Sequence, residues 1–255
     1  MRIVVCCKAV PSWVDNLEYD EQEKKINYDS SALVMNESDE AALEEALFLK
    51  KEYGAEVIVL TVGGLTSQEM LYQSMAKGAD RVIRVSSDQA DDAAEILAKA
   101  IQKLECDLVL TGVESSDSMT AKTAMLLAEE LQLPHAFVVT HIEYDETQQI
   151  MKATSELGQG QYEVLGLSFP ALISIQSTTK PITQASVMKV LQARKKKVES
   201  MTLDSLGLNQ DNHSNQAFTI VDLFDPPVND ACEIIEGDLD EISTVLMRRI
   251  ADAAR

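Results

Sequence analysis

The sequence predicts an α/β protein: a doubly wound parallel sheet of the Rossmann-like, adenine-nucleotide-binding kind, with an antiparallel hairpin and a C-terminal extension. Three observations point there. Short apolar runs alternate with helical patterns through residues 1–142, the rhythm of βαβ units. The runs are apolar at successive positions, as in strands covered on both faces. Beyond them, two-residue alternation surrounds a turn at Asp145, Glu146 and Thr147, which reads as a hairpin.

The strands are expected at residues 3–7, 56–62, 81–85, 107–111 and 136–142, with another at 170–175 after Gly158 and Gly160. Between the first two, Asn36 and Asp39 resemble a capping box ahead of Ala42, Leu43, Ala46 and Leu47, and Gly54 stops that helix. Thr66 and Glu69 repeat the device before Met70, Leu71 and Met75, closed by Lys77 and Gly78. A third helix carries Ala93, Ile96, Leu97, Ala100 and Ile101 on one stripe; the fourth carries Ala121, Ala124, Met125, Ala128 and Leu131. Residues 1–184 form the nucleotide-binding domain in this reading. Residues 185–255 form an arm packing on a partner subunit, because so few apolar positions cannot sustain a separate core. The arm ends in an amphipathic helix with Leu239, Ile242, Leu246 and Ile250 on one side and Asp238 as its N-cap.

Composition excludes several classes of function. A formal charge of -20 argues against nucleic acid, whose phosphates demand a basic surface; the basic run at 194–197 is read as a solvated or interface patch. No apolar run approaches spanning length, so no membrane insertion is expected and the reading is cytoplasmic. Cys6, Cys7, Cys106 and Cys232 lack metal-ligand spacing and read as inert core thiols. His135, His141 and His213 show no metal pattern either, and neither a GxxxxGK[ST] nor a GxGxxG motif is present. No catalytic residue is expected.

The chemistry-bearing stretch is residues 111–131, TGVESSDSMTAKTAMLLAEEL. It follows the fourth strand. In doubly wound sheets a crevice opens beyond the carboxyl ends of the strands where the winding reverses, which brings the loops after strands one and four together. Ser115, Ser116, Ser118 and Thr120 beside a helix N-terminus suit a phosphate or a ribose. The same residues also suit a plain helix cap with solvated serines, Asp117 included. Gly63 and Gly64, after the second strand, fit either a turn or a ligand approaching backbone.

Several stretches in order then match one family: VVCCKAVPSW at 4–13, MNESDEAALEEALFLKKEYGAEVIVLTVG at 35–63, MAKGADRVIRV at 75–85, DLVLTGVESSDSMTAKTAMLLAEELQLPHA at 107–136, PALISIQ at 170–176 and QARKKKVESMTLDSLGL at 192–208. Over nearly its whole length the chain resembles the β subunit of an electron transfer flavoprotein. The resemblance implies a heterodimer whose α subunit holds most of the FAD, shuttling electrons from a dehydrogenase to a downstream acceptor without bond-making catalysis. It also implies AMP as a structural ligand of this chain.

By the resemblance, the AMP site comprises Cys6, Asn36, Glu37, Ser38, Asp39, Val62, Gly112, Val113, Glu114, Ser115, Ser116, Asp117, Ser118, Met119, Thr120, Ala121, Lys122 and Thr123. The same resemblance implies that Trp13 stands where the family places an aromatic near the α-subunit flavin. Ser177, Thr178, Thr179, Lys180 and Pro181 match the loop that docks dehydrogenases, with Thr178 at its tip in place of a usual leucine. Ser155 occupies an arginine position, and Ala124 a glycine position where its methyl could crowd a phosphate. Some members hold a second FAD in the β crevice and split electron pairs; the 114–118 stretch resembles the AMP type. Two other classes are open. A free-standing nucleotide-binding stress-type protein would end soon after the fifth strand, and an ATP pyrophosphatase would carry a glycine-rich loop where Lys8, Ala9, Val10 and Pro11 stand.

Overall fold

A computed structural model describes residues 1–12, 19–20, 25–26, 32–87, 93–208, 221 and 234–253. Trp13, His213, Cys232 and the polar stretch 209–215 lie outside the described residues. The chain divides into two compact units, Met1–Thr219 and Ile220–Arg255.

The first unit is built on β1 (Arg2–Cys6), β6 (Glu56–Val62), β7 (Arg81–Ser86), β8 (Leu108–Gly112), β9 (His135–Asp145), β10 (Ile150–Gly158), β11 (Gln161–Ser168), β12 (Ala171–Ile175) and β13 (Glu199–Thr202). They form one sheet in the order β11-β10-β9-β12-β8-β1-β6-β7-β13. Pairings from β9 through β12 to β13 are parallel, whereas β10 runs antiparallel to both β9 and β11. The doubly wound sheet with an added hairpin is therefore as the apolar runs predict. Two small pairs lie outside it: β2 (Ala9–Pro11) with β5 (Leu33–Met35), and β3 (Tyr19–Asp20) with β4 (Lys25–Ile26).

Alternation along each strand divides the core between two faces. Ile3, Val5, Val57, Val59, Leu108 and Leu110 face α1 (Glu37–Tyr53) and α2 (Gln68–Lys77). Val4, Cys6, Ile58, Leu60 and Val109 face α3 (Ala93–Gln102) and α4 (Thr123–Leu131). After β7 the chain crosses to the far side of β1, so winding reverses at β1 and β8. The loops after those two strands therefore meet.

Three local expectations change. Asn36 does precede α1, but its side chain makes no cap bond; it reaches instead across to the loop after β8. The turn at Leu65–Ser67 is a 3-10 turn that delays α2 to Gln68, and Ser67 Oγ donates to the Gly64 carbonyl. α4 starts only at Thr123, because Met119 (φ 47) and Ala121 (φ 51) adopt left-handed backbone that no helix can include. Hence Met125, expected on the buried stripe, is half exposed, and Leu127 takes its place.

Residues 185–208 do not stand apart as an arm. α5 (Val187–Ala193) lies against α2, and β13 pairs with β7 as the sheet's edge strand. Arg81 fixes that edge with a bidentate pair to Glu199, both contacts 2.8 Å. In the second unit, α6 (Leu239–Ala253) is the expected amphipathic helix, capped by Asp238 Oδ1, which accepts from the Asp240 and Glu241 amides. Leu239, Leu246 and Ile250 are exposed on it. Among the described residues no helix is long and apolar enough to cross a membrane.

Candidate functional site

Beyond the carboxyl ends of β1, β6 and β8 lies a cavity of about 420 Å³, within the range of small-ligand sites. One wall comes from Cys6, Cys7, Lys8 and Ala9 after β1, a second from Val62, Gly63, Gly64, Thr66 and Ser67 after β6. The third is the loop after β8, from Thr111 to Ser115 and from Ser118 to Thr123 apart from Met119. Leu33, Val62, Ala93 and Leu97 supply apolar lining, while Ser115, Ser118, Thr120 and Thr123 supply hydroxyls. Such a division suits an apolar ring system joined to a hydrophilic, anionic group.

The loop after β8 is held in place from α1. Asn36 Nδ2 and Ser38 Oγ each donate to the Glu114 carbonyl at 2.8 Å, and the Ser116 amide donates to Asn36 Oδ1 at 3.1 Å. Asp39 spans the two loops: Oδ2 accepts from the Lys8 amide and Oδ1 from the Gly112 amide, both at 2.8 Å. Burial pushes the Asp39 carboxyl up to about 7, while those two amides pull it the other way. Lys8 Nζ sits 2.7 Å from Asp117, whose side chain is 3% exposed, and donates to Ser115 Oγ at 3.3 Å. Ser115 and Ser118 share a hydroxyl contact of 2.8 Å. Asp117 therefore points at an ammonium, and the N-cap position of α4 is Lys122.

The predicted residues fall into three groups. Cys6, Asp39, Val62, Gly112, Val113, Glu114, Ser115, Ser118, Thr120, Ala121, Lys122 and Thr123 line the cavity. Asn36, Ser38, Ser116 and Asp117 stand behind the wall and brace it. Glu37 and Met119 are exposed outside it. Ala124 is buried in the core under α4 with Leu127 and Leu172, so its methyl does not enter the cavity. Sequence reasoning missed Lys8, because its partner lies 109 residues away and a lysine after a strand carries no sign of that. Burial raises the Cys6 and Cys7 thiols far above their usual range, which leaves them protonated and unreactive. Among the described residues no group of acidic, histidine or cysteine side chains is arranged to hold a metal ion.

The 177–181 loop is tied down. Thr178 Oγ1 donates to Glu45 Oε1 at 2.6 Å, and Lys180 Nζ lies 2.7 Å from Glu45 Oε2 and 4.6 Å above the Phe48 ring. Thr183 binds Glu44 through its amide and its hydroxyl. At the hairpin, Ser155 is buried on β10 beside a register shift, its hydroxyl without a hydrogen-bond partner.

A reversed winding at β1 and β8, with a mixed apolar and hydroxyl cavity beyond it, defines a Rossmann-like α/β protein carrying its site at the switch point. The sequence matches the electron transfer flavoprotein domain over residues 26–206. The chain belongs to the electron transfer flavoprotein family, among its β subunits. It is 30% identical to the electron transfer flavoprotein subunit beta of Methylophilus methylotrophus over 98% of both chains. It is 32% identical to that of Clostridium acetobutylicum over 83% of this chain and 82% of the relative. A third relative, at 28% identity over 99% of this chain and 98% of its own, is the caffeyl-CoA reductase-Etf complex subunit CarD of Acetobacterium woodii.

Proposed function

We propose that the chain is the β half of a cytoplasmic heterodimer in which an α subunit holds most of the FAD and this chain's cavity holds AMP. The dimer carries electrons from a dehydrogenase to a downstream acceptor. The observation that carries the nucleotide reading is the cavity itself: one apolar side and one hydroxyl side, at the switch point of the sheet, in a chain of this family. Leu33, Val62 and Leu97 fit a purine. Ser115, Ser118, Thr120 and Thr123 fit ribose and phosphate oxygens, with Lys8 as the nearby cation. FAD, when bound in the dimer, supplies the redox chemistry. This chain's residues position and enclose, and catalyse no bond-making step.

The 177–181 loop and the exposed apolar side chains Val187, Met188 and Leu191 of α5 are read as the dehydrogenase-docking surface, and α6 as packing on the α subunit. Thr178 spends its hydroxyl on Glu45, which leaves the apolar anchoring to α5. Ser115→Tyr tests the nucleotide site. Its ring fills the hydroxyl side of the cavity, so purified complex should lose its AMP while the far-ultraviolet circular dichroism stays unchanged. Retention of stoichiometric AMP by that variant would place the ligand elsewhere.

A further inference from the structure

Both functional loops hang on one helix. The first turn of α1 holds the cavity loop through Asn36, Ser38 and Asp39. The next turns hold the 177–183 strap through Glu44 and Glu45, whose carboxylates are 5% and 1% exposed. The two loops also leave the sheet side by side. β8 and β12 are parallel neighbours with Ile175 opposite Gly112, and the Val113 amide donates to the Ile175 carbonyl at 3.0 Å.

The cavity loop is not at rest by itself. Met119 and Ala121 adopt left-handed backbone at φ 47 and φ 51, which costs a side-chain-bearing residue free energy unless its surroundings enforce it. Ala121 lines the cavity. A ligand seated there adds contacts that favour the strained form, and through Glu114, Ser116 and Gly112 it tightens the same first turn of α1.

We propose that Glu45 is a positioning residue through which α1 and the end of β12 link the cavity to the 177–183 strap, so that a bound mononucleotide firms the strap for docking. The inference rests on the reading of the cavity as a nucleotide site. Glu45 is the decisive contact because it takes both the Thr178 hydroxyl and the Lys180 ammonium. The linkage is reciprocal: weakening the strap weakens nucleotide binding by the same factor.

The test is amide exchange by mass spectrometry on the assembled complex, depleted of nucleotide and then reloaded with AMP, following peptides over 112–122 and 176–184. In the wild type AMP should slow both windows, the strap by about fivefold or more. In Glu45→Gln the cavity window should still slow while the strap window no longer responds. Thr178→Val, which removes the strap's hydroxyl from Glu45 while the Lys180 ammonium still pairs with the carboxylate, should blunt the strap response in the same way and serves if the buried substitution disturbs folding. Slowing at 112–122 with no response at 176–184 in the wild type overturns the linkage and leaves the nucleotide site standing. No response in either window removes both.

Discussion

At the level of single residues, Gly112 shows how closely α1 and the cavity loop approach. A Cβ there would overlap Ser38 Oγ and Asp39 Oδ1 and sit 2.8 Å from the Asp39 backbone nitrogen. Gly112→Ala should therefore destabilise by about 1–3 kcal/mol, read from the urea midpoint, and lower the AMP content of purified complex. Asp39 gives a pH signature. Its carboxyl titrates near 3.8 when unfolded and about 7 when folded, so between those values the folded chain keeps a proton that the unfolded chain has lost. Stability from this group is thus full below 3.8 and is lost as pH rises through 7, by at most about 1.4 kcal/mol per pH unit. Urea midpoints at pH 5 and pH 8 should show the wild type losing ground against Asp39→Asn as pH rises; a constant difference would refute it. Ser155→Ala removes a buried hydroxyl that has no partner and should be neutral or stabilising by about 1 kcal/mol in the same assay.

Among elements, α1 carries the largest polar burden. Lys77 of α2, 4% exposed, bridges Glu40 and Glu44, so Lys77→Met strands carboxylates beneath the strap. Breaking a buried pair from one side costs about 3–5 kcal/mol, and Glu44→Gln added to it should restore much of that. Ala124→Gly should cost about 1 kcal/mol and leave AMP content unchanged, because the methyl faces the core. The elements differ in how far they could be read from sequence. Runs such as VIVLTV and DLVLTG announce buried strands, because a strand covered on both faces needs apolar residues at successive positions. β13, ESMT, announces nothing: it is a polar edge strand whose place is set by Arg81 and Glu199, 118 residues apart. The start of α4 is not legible in AKTAMLLAEEL, because that stretch keeps helical spacing while Met119 and Ala121 take left-handed backbone that spacing does not reveal. Capping-box letters at Asn36 and Asp39 likewise marked the helix start correctly but served the cavity, a use that only tertiary contact defines.

Over the whole molecule, the doubly wound sheet places the cavity at its switch point and the strap beside it, while α5 leaves apolar side chains exposed. A chain of -20 charge that keeps such faces open suits a permanent partner better than a solitary life. The most direct test of the central claim is the cofactor count of the complex purified after co-expression with an α subunit of the family, with flavin measured by absorbance and nucleotide by chromatography after denaturation. One FAD and one AMP per heterodimer is the predicted result. Two FADs and no AMP, or a homodimer carrying nucleotide without flavin, would contradict it.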